Sequence, residues 1–295
     1  MGYLFLFIAI FAGTAKSYCG KKTSGYTSSY RDAALANIIR MLLCIVIGFG
    51  LILASGDFKN LIPSRTLLLI SLLSGFSTAV FLVAWLISVK MNAYMMLDVF
   101  LMLGVVIPLI ASSVFFNEAI KSTQWLGIAV LFAAVLIMCS YNNSIKAKLT
   151  PSSLILLLIC GAANGISDFS QKLFTKCIPD GSAAVFNFYT YLFAAFTLII
   201  AFAVTRKTGP ATDWSNMKKI FRYILIMAIC LFAYSYFKTL ASGHLGAVLL
   251  YPLNQGCNLI ISAIMAAVLF KEKLTAKAII GILIAFAGLL MINLL

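Results

Sequence analysis

Charge is scarce in this chain, and acidic charge scarcest. Of 295 residues, 10% are charged, with 22 Lys or Arg against 8 Asp or Glu. A soluble domain carries about 25% charged residues, so a water-solvated fold is excluded. Histidine occurs once, at His244, and the seven cysteines form no C-x-x-C pair. A zinc or haem site therefore lacks its ligands, no metal or other cofactor is expected, and the thiols read as small buried hydrophobes. No H-E-x-x-H or G-x-S-x-G occurs, so an enzyme is not expected. The absence of G-x-x-x-x-G-K-[ST] removes nucleotide hydrolysis as a driving force and leaves a gradient. The first apolar run has no preceding Lys or Arg, and position 6 is Leu. A secretion signal and a myristoylation site both fail on these grounds, and the run reads as a retained helix.

What the chain has instead is apolar length. Hydrophobic residues make up 63% of it, and the mean hydropathy is +1.06. Ten apolar spans run roughly over 2–20, 33–54, 66–88, 91–114, 124–141, 152–172, 183–204, 219–240, 245–269 and 276–294. Each is near the ~20 residues a helix needs to cross the hydrocarbon core. The runs are continuous, without the two-residue alternation of a barrel strand. Little remains for a soluble module, so the net charge of +14, scattered over loops, does not signal nucleic acid.

The second half repeats the first. Phe116-Asn117-Glu118 aligns with Phe270-Lys271-Glu272, and the same 154-residue offset brings Trp125-Leu126-Gly127 onto Ile279-Ile280-Gly281 and Ala93 onto Ala247. At an offset of 150, Ala33-Ala34-Leu35-Ala36-Asn37 meets Ala183-Ala184-Val185-Phe186-Asn187, and Lys22 meets Lys172. A four-residue insertion near Gly209-Pro210 reconciles the offsets. The expected fold is an all-α polytopic membrane protein with ten transmembrane helices as two inverted five-helix repeats, 1–148 and 149–295. Five spans per half is an odd number, so the second half sits upside down relative to the first. Carriers built this way bind cargo near mid-bilayer, where the halves meet, and alternate between two outward and inward arrangements.

Loop charge gives orientation. One set of connections carries fourteen Lys or Arg and the alternate set six: Lys59, Arg65, Lys121, Lys172, Lys176 and Lys238. The richer set is expected to face the cytoplasm, which puts both termini outside.

Ionisable groups inside spans cost about 2.5–3.5 kcal/mol each on insertion scales and so face a cavity or a partner. Four stand out: Lys16, Arg40, Asp98 and Asp168. Helical spacing adds neighbours. Tyr94 lies four residues before Asp98, Asn164 four before Asp168, and Asn187 four before Tyr191; Tyr251, Asn254 and Asn258 share a stretch broken by Pro252. Lys16, Arg40, Tyr94, Asp98, Asn164, Asp168, Asn187, Tyr191, Tyr251 and Asn254 are the expected substrate-binding set. Mutual ion pairing, or snorkelling of Lys16 to the interface, is the alternative. Tyr234, Tyr236 and Trp85 can equally be interfacial anchors. Glu118 and Glu272, just before the last span of each half, read as caps on the first turn of the following helix rather than as gates. Gly13, Gly75, Gly104, Gly127, Gly161, Gly165, Gly281 and Gly288 permit close helix approach.

These features together resemble the drug/metabolite transporter superfamily, in its ten-helix form built from two EamA-type repeats. The resemblance spans the whole chain. It rests on Phe-Asn-Glu (116–118) and Phe-Lys-Glu (270–272) before each repeat's last helix, Arg40 within Asn37-Ile38-Ile39-Arg40, and Phe11-Ala12-Gly13, a degraded aromatic-Gly step. It implies a small-molecule carrier. Two cations and two anions in the expected chamber suit a zwitterion or a polar neutral metabolite, with an aspartate as a proton site. The expectation is a secondary transporter of amino-acid-like metabolites working by alternating access, as a uniporter or a proton-coupled exporter. A multidrug exporter of lipophilic cations and a non-transporting membrane scaffold are the alternatives. Short loops and no targeting segment point to a bacterial inner membrane. The partners are substrate, protons and lipid bilayer; oligomeric state stays open, since the duplication supplies a two-fold partner within one chain.

Overall fold

The computed structural model describes all residues except 25, 27–29, 91–99, 141–150, 205–213, 270–275 and 295. Ten α-helices are seen among the described residues: α1 Gly2–Ser24, α2 Tyr30–Ser55, α3 Arg65–Lys90, α4 Val106–Phe116, α5 Ser122–Ser140, α6 Pro151–Cys177, α7 Ala183–Val204, α8 Trp214–His244, α9 Ala247–Leu269 and α10 Ala276–Leu294. A 3₁₀ turn over Asp57–Leu61 links α2 to α3. Among the described residues, six helices are long and apolar enough to cross a membrane, and the shorter ones are apolar too. Several boundaries differ from those expected, the largest extensions being in α6 and α8. The α6 helix runs on to Cys177, and α8 spans 31 residues from Trp214 to His244. Both extensions carry polar residues that a hydropathy window rejects, among them Thr175 and Ser242, whose hydroxyls meet at 3.4 Å between the two helices.

Why these segments stop is legible in a few residues. Helix α4 ends at Asn117, which takes the left-handed conformation (φ 53°) that Asn tolerates better than most residues. Helices α8 and α9 are separated by only Leu245 and Gly246. Pro252 sits one turn into α9 without ending it, because neighbouring helices can re-satisfy the backbone there.

The helices of the two halves interleave. α1 packs along α8, α3 along α6 and α7, α2 along α7 and α8, α5 along α10, and α4 on α6. Small residues set the closest approaches. A Cβ on Gly161 would lie 2.1 Å from the Phe100 carbonyl oxygen, and one on Gly165 2.2 Å from that of Gly104. The Gly127 and Gly288 backbones meet reciprocally between α5 and α10, each Cβ falling 2.9 Å from the other's carbonyl oxygen. Without water to drive helices together, such backbone contact is what holds a membrane bundle. The apolar core divides into one cluster around α1, α4, α5, α9 and α10 and another around α2, α3, α7 and α8. Polar residues collect between them.

Candidate functional site

A cavity of about 50 Å³ opens among α1, α3, α6, α8 and α9. It has room for roughly three water-sized groups. Its polar wall is Thr14, Lys16, Ser17, Asn164, Gln255 and Asn258; Phe81, Trp85 and Tyr234 supply aromatic faces. The Lys16 ammonium lies 4.5 Å from the centroid of the Tyr234 ring and 5.9 Å from that of Phe81. Two of the expected site residues, Lys16 and Asn164, therefore share one cavity, and Lys16 does not reach for the interface. Trp85 and Tyr234 are buried beside it rather than anchoring at the membrane surface.

Behind this wall runs a chain of buried polar contacts. Lys238 Nζ meets Asp168 Oδ1 at 2.5 Å and donates to the Tyr234 hydroxyl oxygen at 3.1 Å. Asn254 Nδ2 donates to the same oxygen at 2.9 Å, and Asn258 Nδ2 reaches Asn254 Oδ1 at 3.4 Å. Tyr251 donates its hydroxyl to the Asp168 carbonyl oxygen at 2.6 Å. Asp168, Tyr251 and Asn254 thus belong to a layer touching the cavity through Tyr234 and Asn258, not to its lining. Asp168 is fully buried, and its Oδ2 has no hydrogen-bond partner among the described residues.

Lys238 is the residue that sequence reasoning missed. Counted as a loop lysine, it lies six residues inside the end of α8, 3% exposed and ion-paired. The available signal was its four-residue spacing from Tyr234, which puts both on one helix face. The charge inventory changes with it. Lys238 adds a third cation to the two expected, and it is the one that Asp168 answers directly.

The other expected residues lie elsewhere. Arg40 donates to the Asn37 side-chain oxygen, and Asn37 donates onward to the Leu82 carbonyl at 3.3 Å, tying α2 to α3. Asn187 accepts from Ser235 Oγ at 2.5 Å, which in turn accepts from Gln171 at 3.1 Å. Tyr191 donates to the Leu231 carbonyl at 3.2 Å. Asn187 and Tyr191 therefore stitch α6, α7 and α8 together away from the cavity. Tyr94 and Asp98 lie outside the described residues.

A second ionic cluster closes one end of the bundle. Glu118 Oε1 is 2.8 Å from Lys172 Nζ and 3.5 Å from Lys176 Nζ, while Glu118 Oε2 accepts the Ala247 N–H at 2.8 Å. Lys172 also donates to the carbonyl oxygens of Ser242 (3.2 Å) and Leu245 (2.8 Å). Glu118 is thus a helix cap, as its type and position suggested, but of α9 and not of the following α5. Lys172, taken for a loop lysine, neutralises it and holds the carbonyls at the end of α8. Burial pushes the Glu118 carboxyl up, but the Lys172 hydrogen bond, the Ala247 amide and the charges of Lys172 and Lys176 outweigh it and hold the group below its ordinary range. Glu272 lies outside the described residues.

Residues 151–294 match the model of the EamA-like transporter family. No curated protein matches the chain. One crystal structure superposes on 99% of this chain and 96% of its own length with a TM-score of 0.78 at 12% identity. At that identity the likeness is one of fold.

Proposed function

We propose that this chain, a multi-pass membrane transporter of the drug/metabolite superfamily with an EamA-like domain at residues 151–294, carries small polar, amino-acid-like metabolites by alternating access. The observation that carries this reading is the cavity itself. Its lining comes from both halves, with Lys16 and Phe81 from the first and Asn164, Tyr234 and Asn258 from the second. Convergent polar groups among aromatic faces are what a small-molecule site requires, and the meeting of the halves is where carriers of duplicated design bind.

The two-repeat organisation, 1–148 and 149–295, is supported by how helices pair. Exchanging the halves turns the α1–α8 pair into α6–α3, while α5–α10 and α2–α7 pair each helix with its own counterpart. Inversion of one repeat against the other gives two arrangements of similar energy, and the glycine contacts let helices slide between them.

Charge favours a small polar cargo over a lipophilic cation. The aromatic face an organic cation would need is already approached by two ammoniums, Lys16 at 4.5 Å and Lys238 at 4.4 Å from the Tyr234 centroid.

Asp168 is the proton site in this reading: one oxygen is engaged by Lys238 and the other has no partner among the described residues. Protonation would release Lys238 and couple the two arrangements. Flux driven by a pH gradient that survives Asp168→Asn removes the proton part. The setting proposed is a bacterial inner membrane with both termini outside. Of the six basic residues counted on the poorer side, Lys172 and Lys238 are buried in protein, which strengthens the bias. Membrane-impermeant labelling of a cysteine added at either terminus tests it. The carrier reading is tested by uptake into proteoliposomes across a panel of amino acids, organic cations, organic anions and sugars. Saturable uptake of an amino-acid-like solute supports it; a scaffold would show none.

A further inference from the structure

We infer that the cavity at Lys16 is a carboxylate site, in which the Lys16 ammonium and the Asn164 amide hold the anionic end of the cargo. The inference rests on the reading of this cavity as the transport site and names the group that it selects.

The cavity holds donors without acceptors. Lys16 carries three N–H donors and lies within the hydrocarbon-spanning part of α1. No carboxylate pairs with it among the described residues, and its contacts are the faces of Tyr234 and Phe81. Such faces return about 0.5–2 kcal/mol, less than the ~2.5–3.5 kcal/mol that placing a lysine at this depth costs. On the same wall, Asn164 is 6% exposed, and its Nδ2 has no hydrogen-bond partner among the described residues. Buried polar groups left this way are exceptional, and both of these are donors facing one cavity.

The neighbouring groups do not satisfy them. Thr14 spends its hydroxyl proton on the Ile10 carbonyl at 2.9 Å. Asp168, which could have answered Lys16, is held by Lys238 at 2.5 Å and is not among the lining residues. A ligand that completes the site must therefore bring acceptors and negative charge. A carboxylate does this with two oxygens and no donor of its own. A phosphate carries more charge and is better met by planar guanidinium forks or several cations; Arg40, the one guanidinium of the expected set, is turned to Asn37.

The cavity also supplies its own reporter, since Trp85 lines it. Purified full-length protein in detergent is titrated with alanine, propionate, alaninamide and inorganic phosphate while tryptophan emission is followed. The binding readout does not depend on flux. Alanine and propionate are expected to change the emission saturably, with alaninamide weaker by about tenfold or more. In Lys16→Gln the preference for carboxylate over amide is expected to collapse towards unity. Lys16→Arg, which keeps the charge, is expected to retain it. Thermal unfolding of each variant, monitored in parallel, shows whether the fold survives; should Lys16→Gln fail to fold, Asn164→Leu serves in its place, with a weakened carboxylate response. Equal response to acid and amide, an undiminished preference in a folded Lys16→Gln, tighter binding of phosphate than of any carboxylate, or no response to any carboxylate overturns the inference. Lys16-dependent carboxylate binding without proteoliposome flux would instead uphold this site and count against the carrier reading.

Discussion

Glu118 and Lys172 meet at 2.8 Å across the joint between α8 and α9, and each also holds a helix end there: Glu118 the first amide of α9, Lys172 the last carbonyls of α8. The carboxylate sits at the positive end of one helix dipole and the ammonium at the negative end of another. Glu118→Gln removes the charge that answers a lysine 3% exposed. The expected cost is about 3 kcal/mol, at the low end for a broken buried pair because two carbonyls still receive Lys172. A lowered thermal unfolding midpoint in detergent checks it; a midpoint equal to wild type contradicts it.

The same pair gives a pH dependence with a definite sign. The Glu118 carboxyl is held below its ordinary range in the folded protein. Its stabilisation is therefore fully present above the unfolded glutamate value of about 4.3 and is lost as pH falls through the lower folded value. The stability gap between wild type and Glu118→Gln is expected to stay constant from neutral pH to about 5 and to narrow below 4. Unfolding midpoints of both proteins measured across that range decide it, and a gap that widens in acid would be the wrong sign.

For Asp168 and Lys238, removing one partner is expected to hurt more than removing both. Asp168→Asn leaves a fully buried ammonium unanswered, at a cost of about 3–5 kcal/mol. The double variant Asp168→Asn with Lys238→Met is expected to recover most of that loss. Folded yield and unfolding midpoint of the two singles and the double form a cycle that isolates the coupling. Additive losses would mean that the 2.5 Å contact contributes nothing of its own.

The glycine contacts make a prediction free of charge effects. Gly161→Ala places a methyl 2.1 Å from a backbone oxygen that cannot rotate away, whereas Gly50 has nothing within 4 Å of its added Cβ. Gly161→Ala is expected to lose at least about 1–3 kcal/mol, and Gly50→Ala close to none. Parallel unfolding curves test the contrast, which separates helix contact from helix propensity.

How far the sequence reaches can be judged from particular residues. Each of the ten helices seen among the described residues overlaps an apolar run read from hydropathy, because a helix in lipid must be apolar over much of its length. Lys16 and Asn164 were legible as site candidates since a polar group at that depth needs a reason. Lys238 was not, because a lysine near a span's end looks the same whether it points to water or folds back onto Asp168. Glu118 announced a cap but not which helix it caps: its amide partner is 129 residues away, and no local pattern encodes that distance. Asn187 and Tyr191 shared a helix face as expected, yet that face turned towards α8 and not towards the cavity. Periodicity tells which residues go together; packing decides what they meet.

The central claim is that the Lys16 cavity is the binding site of a carrier. Its most direct test is counterflow: proteoliposomes preloaded with an unlabelled amino acid take up its labelled form from outside, in wild type and in Lys16→Gln. The expected result is saturable, transient accumulation by wild type that Lys16→Gln loses while remaining folded. Accumulation of lipophilic cations alone, or uptake of the amino acid unchanged in Lys16→Gln, would contradict it.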